Sequence, residues 1–484
     1  MLQKTKIRKT KIVATIGPAS DSPEILKEMM LAGMNVVRIN LSHGSYDEQQ
    51  QRLDRVRMVA KEIGANIAVM VDTRGIEIRT GLLQGGSVDL EEGNSFTLFT
   101  DNRVGNASGV SITNKSLPKE VKIGDPILFD DGAMELVVTR VTDDSIECRL
   151  IHGGTLRDHK SVNLPETRLA ASMLSPEYRD DIVKEINFAT ENDVDYLAAS
   201  FMQCAADVKR LREIMWDHER KIPIISKIEN KAGVKNLQEI VAESDGIMVA
   251  RGDLGVELPL ADVPRTQKHM IRTTVHNGKP VITATEMLAS MERNPRPTRA
   301  EASDVANAIL DGTSAVMLSG ETAIGRYPVE TVKMMSNLAL RAEEALNEYG
   351  YLQQVKRNSG NRITEAVGDA AATMASKLNA AAIFTLTETG FTSRMISKHR
   401  PECAILAVTS SRLVARRLAM NWGVTPLLYK GSHNDDDKIE FAMEQATNLG
   451  YIETGDVIIA TSGSHQQAGG TDLIRVHTAG ACTL

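Results

Sequence analysis

Short apolar runs recur along the first two-thirds of the chain, at 12–17, 35–42, 67–73, 195–201, 222–229, 246–252, 280–286 and 315–321. Runs of this length read as strands buried on both faces, and the helical patterns between them make βαβ units. Helix starts are legible too. Ser22-Pro23-Glu24 and Ser175-Pro176-Glu177 each supply a cap, a proline for the first helical position and an acid in the first turn. Eight such strands predict an α/β fold, a (β/α)8 TIM barrel with its active groups at the C-terminal strand ends.

Two regions break the rhythm. Between the third and fourth strands lie about 120 residues, far more than a βα connection needs. Turn pairs such as Gly85-Gly86 and Asp131-Gly132 punctuate β-like pieces at 95–100, 126–129, 135–141 and 145–151. We expect a small all-β lid domain over 75–170, inserted at the barrel mouth and returning through a helix at 175–192. After the eighth strand a helical pattern covers 326–349 and a polar linker 353–362. Helices at 363–378, 391–399, 411–421 and 436–449 then alternate with strands at 381–387, 404–409, 424–429, 456–462 and 472–478. This predicts a C-terminal open α/β domain over 360–484, leaving 1–74 and 171–350 for the barrel.

Composition narrows the setting. A chain of 484 residues, 42% hydrophobic and 25% charged, suits a soluble protein of several domains. A formal net charge of -7 argues against general binding to nucleic acid or a membrane surface. No apolar run approaches the roughly 20 residues of a membrane span. The basic N-terminus lacks the apolar stretch of a signal peptide, and Cys148, Cys204, Cys403 and Cys482 show no metal-binding spacing. A cytoplasmic protein with reduced cysteines is expected.

The strand ends carry the chemistry. Residues two apart on a strand share a face, so Lys227 pairs with Glu229, and Arg251 with Asp253. By the same period Arg38, Asn40 and Ser42 face together, as do Thr283 with Thr285 and Ser319 with Glu321, while Asp72 and Thr73 close the third strand. Glu229 and Asp253 suit a magnesium ion, which takes few protein ligands and keeps several waters. Lys227 can neutralise a phosphoryl group in transit. Gly252 permits close backbone approach, and Thr285 and Ser319 offer hydroxyls to orient a small substrate or relay a proton. Asn40, Ser42, Asp72 and the Thr73 carbonyl make an oxygen set suited to a monovalent cation. Arg38, Arg79 and Lys160 are cations suited to nucleotide phosphates. A magnesium-dependent lyase acting through an enolate, or a metabolite-binding regulator, is a competing reading of the same residues. In the C-terminal unit, the hydroxyl-rich loop with Thr385, Thr387, Thr389, Gly390, Thr392 and Ser393 meets a helix N-terminus, a ready phosphate site.

The segments Lys9–Ser20, Met34–Gly44, Asp72–Gly81, Ser226–Asn230, Ala250–Gly255, Asn294–Glu301 and Met317–Thr322 closely resemble the pyruvate kinase family. The likeness is to the bacterial type without an extra C-terminal phosphotransfer-like domain, and it runs from about Lys9 to the C-terminus. It implies phosphoryl transfer from phosphoenolpyruvate to ADP, giving ATP and pyruvate, with Mg2+ (or Mn2+) and K+ in a homotetramer. Glu229 and Asp253 would then hold the divalent ion, with Lys227 stabilising the transferred group. Gly252, Asp253 and Thr285 would meet phosphoenolpyruvate, with Arg38 nearby. Asn40, Ser42, Asp72 and Thr73 would hold potassium, and Arg79, Lys160, Asn40 and His43 would meet nucleotide. The resemblance also favours a sugar-phosphate effector at the Thr385–Ser393 loop. Because Ser462–Gly470 lacks an arginine for a second phosphate, a sugar monophosphate is expected. Four positions bear on this likeness. Arg74 and Ile76 interrupt the usual DTKGPEIRTG, Glu166 stands where glycine is common, and Glu286 replaces a usual glutamine. Glu77, an acid that in this family goes with potassium dependence, is retained.

Overall fold

The computed structural model describes residues 7–75, 78–167, 179–216, 218, 221–350, 363–463 and 470–480. Ile76, Glu77, the Ser175-Pro176-Glu177 cap, the 353–362 linker, Cys482 and most of the Ser462–Gly470 loop lie outside these residues.

Eight parallel strands close a barrel: Lys11–Thr15, Val36–Asn40, Ala68–Asp72, Tyr196–Ala199, Ile224–Ile228, Gly246–Ala250, Val281–Ala284 and Ala315–Leu318. Local signals place its helices. Ser22 caps Pro23–Ala32 by accepting from the Ile25 N–H, and Gly33 ends that helix at φ 117. Thr298 and Glu301 form a capping box on Arg299–Leu310, so the Asn294–Glu301 segment starts a helix. Between the third and fourth strands sit a six-stranded and a two-stranded sheet, built from strands between Ser87 and Asn163. Phe96 and Phe129 meet edge to face in a core separate from the barrel's. The C-terminal unit is a five-stranded sheet with parallel strands and one antiparallel edge, Leu473–Thr478.

Strand alternation sorts the barrel interior. Val13, Val36, Met70, Ala198, Ile225, Met248, Ile282, Ala284 and Met317 face inward together. Ala419 and Met420 of the C-terminal unit join that cluster and plug the N-terminal end of the barrel. Around the plug, Tyr196 donates its hydroxyl to the Arg417 carbonyl at 2.7 Å, and Lys11 donates to the Val424 carbonyl at 2.7 Å. Arg416 bridges to buried Asp195 at 2.9 Å. The C-terminal unit thus covers the N-terminal end of the barrel, opposite the C-terminal mouth.

All eight barrel strands end one to three residues before their expected limits, and at three of them the change of backbone alters the expected site. The 246–252 strand stops at Ala250, because Arg251–Glu257 is a helix with Asp253 in its first turn. The 280–286 strand stops at Ala284, after which Thr285 and Glu286 both adopt positive φ, 67 and 53. The 315–321 strand stops at Leu318, and Gly320–Ala323 is helical.

Candidate active site at the barrel mouth

Carrying the inward alternation one step past the apolar layer reaches Thr15, Arg38, Asp72, Ser200 and Lys227. The structure joins them in a chain of charges. Arg38 donates from Nε to Asp72 Oδ2 at 2.6 Å and from a terminal nitrogen to Thr15 Oγ1 at 3.0 Å. Lys227 Nζ lies 3.1 Å from Asp72 Oδ1, 2.9 Å from Glu229 Oε1 and 2.8 Å from Ser200 Oγ. Burial alone would raise the Asp72 pKa, but Arg38 and Lys227 outweigh it and hold the carboxyl below its usual range. Burial likewise works against the Lys227 charge, yet Asp72 and Glu229 keep its pKa above the ordinary lysine value. Buried charges persist here because each has opposite partners.

Glu229 is 1% exposed and its Oε2 accepts the Phe201 N–H at 2.5 Å. Asp253 behaves differently. Burial first, then repulsion from Glu229, pushes its carboxyl up to about 7, with Lys227 opposing. Lys227, already shared between Asp72 and Glu229, does not offset the burial of Asp253 and the charge of Glu229 beside it. Among the described residues no group of three or more His, Cys, Asp or Glu side chains is arranged to hold a metal.

The expected face shared by Arg251 and Asp253 is not present, because both lie on a helix. Arg251 points away from Asp253 and donates to the Thr285 carbonyl at 2.6 Å, the Ala284 carbonyl at 3.2 Å and Asp304 at 2.6 Å. Thr283 faces the helices, fully buried and bonded to Thr313 at 2.9 Å, so it does not share a face with Thr285. Glu321 turns from the mouth to accept the Leu288 and Ser319 N–H groups at 3.1 and 2.7 Å. Thr285 Oγ1 accepts the Gly252 N–H at 2.8 Å, and Ser319 Oγ is buried without a hydrogen-bond partner.

A cleft of about 590 Å³ opens between barrel and inserted sheet, with Arg79, Asp130, Lys160, Phe201, Lys231, Asp253 and Glu257 on its walls. Lys160 pairs with Asp130 at 2.8 Å, and Arg79 donates to the His159 carbonyl at 2.8 Å. Glu166 on the inserted unit pairs with Lys231 on the barrel at 2.5 Å. Asn40 accepts the Ser42 N–H at 3.1 Å through its side chain, and the Thr73 carbonyl accepts from Ser200 Oγ at 2.8 Å. Arg74 donates to the Leu41 carbonyl at 2.7 Å. His43 is exposed and does not line the cleft.

In the C-terminal unit Thr385 pairs with Ser393 at 2.6 Å and Thr392 with Thr471 at 2.5 Å, all four buried. Thr387 accepts the Gly390 N–H at 2.9 Å. Thr389 is exposed, and the helix Phe391–Lys398 starts at Gly390, φ 77, without a side-chain cap.

Ser200 and Phe201 were absent from the sequence-derived set. The inward series Tyr196, Ala198, Ser200 could have exposed the serine. Nothing in the sequence marks a backbone N–H as a carboxylate holder.

A closed parallel barrel with buried, paired charges at its C-terminal mouth defines a (β/α)8-barrel enzyme. Family models sharpen this: the pyruvate kinase barrel domain matches residues 7–332 and the pyruvate kinase alpha/beta domain residues 365–477. The chain is 45% identical to a pyruvate kinase of Bacillus licheniformis, covering 98% of this chain and 81% of that protein. It is also 45% identical to one of Geobacillus stearothermophilus, over 97% of this chain and 80% of the relative. One from Staphylococcus aureus (strain MRSA252) is 44% identical over 98% and 81%. The chain belongs to the pyruvate kinase family, phosphotransferases of glycolysis.

Proposed function

We propose that this mouth transfers the phosphoryl group of phosphoenolpyruvate to ADP and releases pyruvate, with the roles that follow. The carrying observation is the Lys227 ammonium held between Asp72 and Glu229 below the cleft. A fixed cation there can neutralise charge on a phosphoryl group as its bonds shift. Glu229 and Asp253 fit a divalent ion, magnesium or manganese: two hard oxygen donors, with Asp253 left under-compensated by Lys227, and too few ligands for a closed cage. Bound there, the ion supplies charge neutralisation at the oxygens in flight.

Gly252 suits the substrate carboxylate. An added Cβ would meet Thr285 only at 3.6 Å, an ordinary contact, so packing within the protein does not demand glycine there. The free face leaves backbone open to close approach. The unpartnered Ser319 Oγ, and Thr285 Oγ1, which accepts from Gly252 and donates to the Ala284 carbonyl at 2.6 Å, are the hydroxyls assigned to orient pyruvate or pass a proton to its enolate. Arg79 and Lys160, on the cleft wall, are assigned to nucleotide phosphates, and Asn40 and His43, which do not line that cleft, are assigned to the nucleotide with them. Asn40, Ser42, Asp72 and the Thr73 carbonyl are assigned to potassium.

Further assignments extend the family reading. The barrel occupies 1–74 and 171–350, the lid 75–170 and a regulatory domain 360–484, in a cytoplasmic homotetramer. No described helix is long and apolar enough to cross a membrane. The uncapped start of Phe391–Lys398 supports activation by a sugar monophosphate. A coupled assay tests the core proposal. Pyruvate formation from phosphoenolpyruvate should require ADP, magnesium and potassium, and ADP-independent release of pyruvate would overturn it.

A further inference from the structure

Two adjacent residues hold the site together from one strand end. Lys227 has three N–H donors and three acceptors within reach: Asp72, Glu229 and Ser200 Oγ. Ser200 Oγ in turn reaches the Thr73 carbonyl at 2.8 Å and Asp72 Oδ1 at 3.3 Å. The next residue, Phe201, gives its N–H to Glu229 Oε2 at 2.5 Å from a backbone at φ 54, costly for an aromatic residue. Such a conformation persists only where its surroundings enforce it.

Gly75 helps enforce it. A Cβ built on Gly75 would lie 2.2 Å from Phe201 Cδ2 and Cε2, and 3.4 Å from Ser200 Cβ. Its φ lies outside the left-handed region, so glycine is required by the aromatic ring and not by backbone conformation. Gly75 is also where the chain leaves the third barrel strand, ending at Asp72, for the inserted sheets. The ring of Phe201 thus rests on the departing chain while its N–H holds a carboxylate of the site.

We infer that Ser200 and Phe201 are positioning residues: Ser200 orients the Lys227 ammonium, and Phe201 makes the divalent-metal affinity of Glu229 depend on the seating of Gly75. This rests on the reading of Glu229 as a metal ligand. It places the connection to the inserted domain in mechanical contact with the metal site, without any ligand bridging the two.

A double-mutant cycle on the full chain tests it, with Mn2+ binding followed by electron paramagnetic resonance in the absence of substrates. Gly75→Ala should weaken Mn2+ binding about tenfold in the wild-type background. In the Phe201→Ala background, where no ring opposes the new methyl group, the same change should cost less than about twofold. Equal losses in both backgrounds, or no loss in either, would overturn the coupling. Glu229→Gln separates the two readings: if it binds Mn2+ as the wild type does, the metal assignment itself fails. Ser200→Ala forms an independent arm. Its kcat should fall at least about tenfold while the phosphoenolpyruvate KM and Mn2+ affinity stay within about threefold. An unchanged kcat, or a matching loss of Mn2+ affinity, would remove the role assigned to Ser200.

Discussion

The guanidinium of Arg251 donates to the carbonyl oxygen of Thr285 at 2.6 Å, pinning the first of two consecutive non-glycine residues at positive φ. Arg251 is itself held by Asp304 at 2.6 Å. One cation therefore braces the turn that presents Thr285 Oγ1 to the Gly252 N–H.

Loss of that brace should affect substrate handling more than folding. A hydrogen bond involving a charged group is worth about 1.5–3 kcal/mol, and this one lies beside the Thr285–Gly252 contact at the mouth. Arg251→Gln should lower kcat/KM for phosphoenolpyruvate about 10–100-fold while Mn2+ binding persists. Steady-state kinetics beside a metal titration checks this, and wild-type kcat/KM in the variant would refute the bracing role.

Much of the site was legible because strands impose a period of two. Lys227 and Glu229, or Arg38 and Asn40, could be placed together from spacing alone. The same rule failed where the chain left the strand. Arg251 and Asp253 are helical, and the positive φ at Thr285 breaks the alternation that would have paired it with Thr283. Both failures arise where backbone geometry changes within one residue, which hydrophobic pattern does not report. Phe201 was invisible for another reason: its contributions are an N–H and a ring seated on a glycine 126 positions earlier in the chain.

Lys227→Met should separate chemistry from metal binding. The variant removes the cation between Asp72 and Glu229 but leaves both carboxylates assigned to the metal. Turnover should fall roughly 10³-fold or more, with Mn2+ affinity kept or tightened because a repelling charge is gone. Single-turnover kinetics with a metal titration decides. Near-normal turnover would end the assignment.

The Glu257 carboxyl, on the cleft wall, is pushed up to about 7 by burial, with Lys231 and the Leu164 N–H opposing. Its folded-state pKa thus exceeds the ordinary value of 4.5. Between these values the folded protein keeps a proton that the unfolded chain has lost. The stability from this group is therefore full below about 4.5 and declines as pH rises through about 7. Glu257→Gln cannot ionise, so its Tm advantage over wild type should open between pH 5 and pH 8, by about 1–4 °C. Melts across that range test this; a constant difference would show that Glu257 does not titrate there.

The monovalent cation should also be selective. Asn40, Ser42, Asp72 and the Thr73 carbonyl supply oxygen donors, and Asp72 is shared with Lys227 through its carboxylate. A cation held there would be coupled to the transfer site through a buried group. Replacing potassium by sodium at constant ionic strength should reduce kcat at least about tenfold. Full activity in sodium alone would remove potassium from the site.

The proposed effector preference rests on what the C-terminal loop leaves free. Thr385, Ser393 and Thr392 satisfy one another or Thr471 in buried pairs, so a phosphate would be held chiefly by backbone N–H groups at the uncapped start of Phe391–Lys398, with Thr389 exposed beside it. Nearby, Lys438 is already paired with Glu388 at 3.3 Å and does not offer an uncompensated charge for a second phosphate. A second phosphate that meets no uncompensated cation gains nothing for the water it gives up, whereas a monophosphate presents a hydroxyl there. Glucose 6-phosphate should therefore lower the half-saturating phosphoenolpyruvate concentration more than fructose 1,6-bisphosphate does. Thr389→Glu, which sets a negative charge beside the helix start, should abolish that difference. Titration of both sugars at subsaturating phosphoenolpyruvate decides between them, and stronger activation by the bisphosphate would reverse the preference.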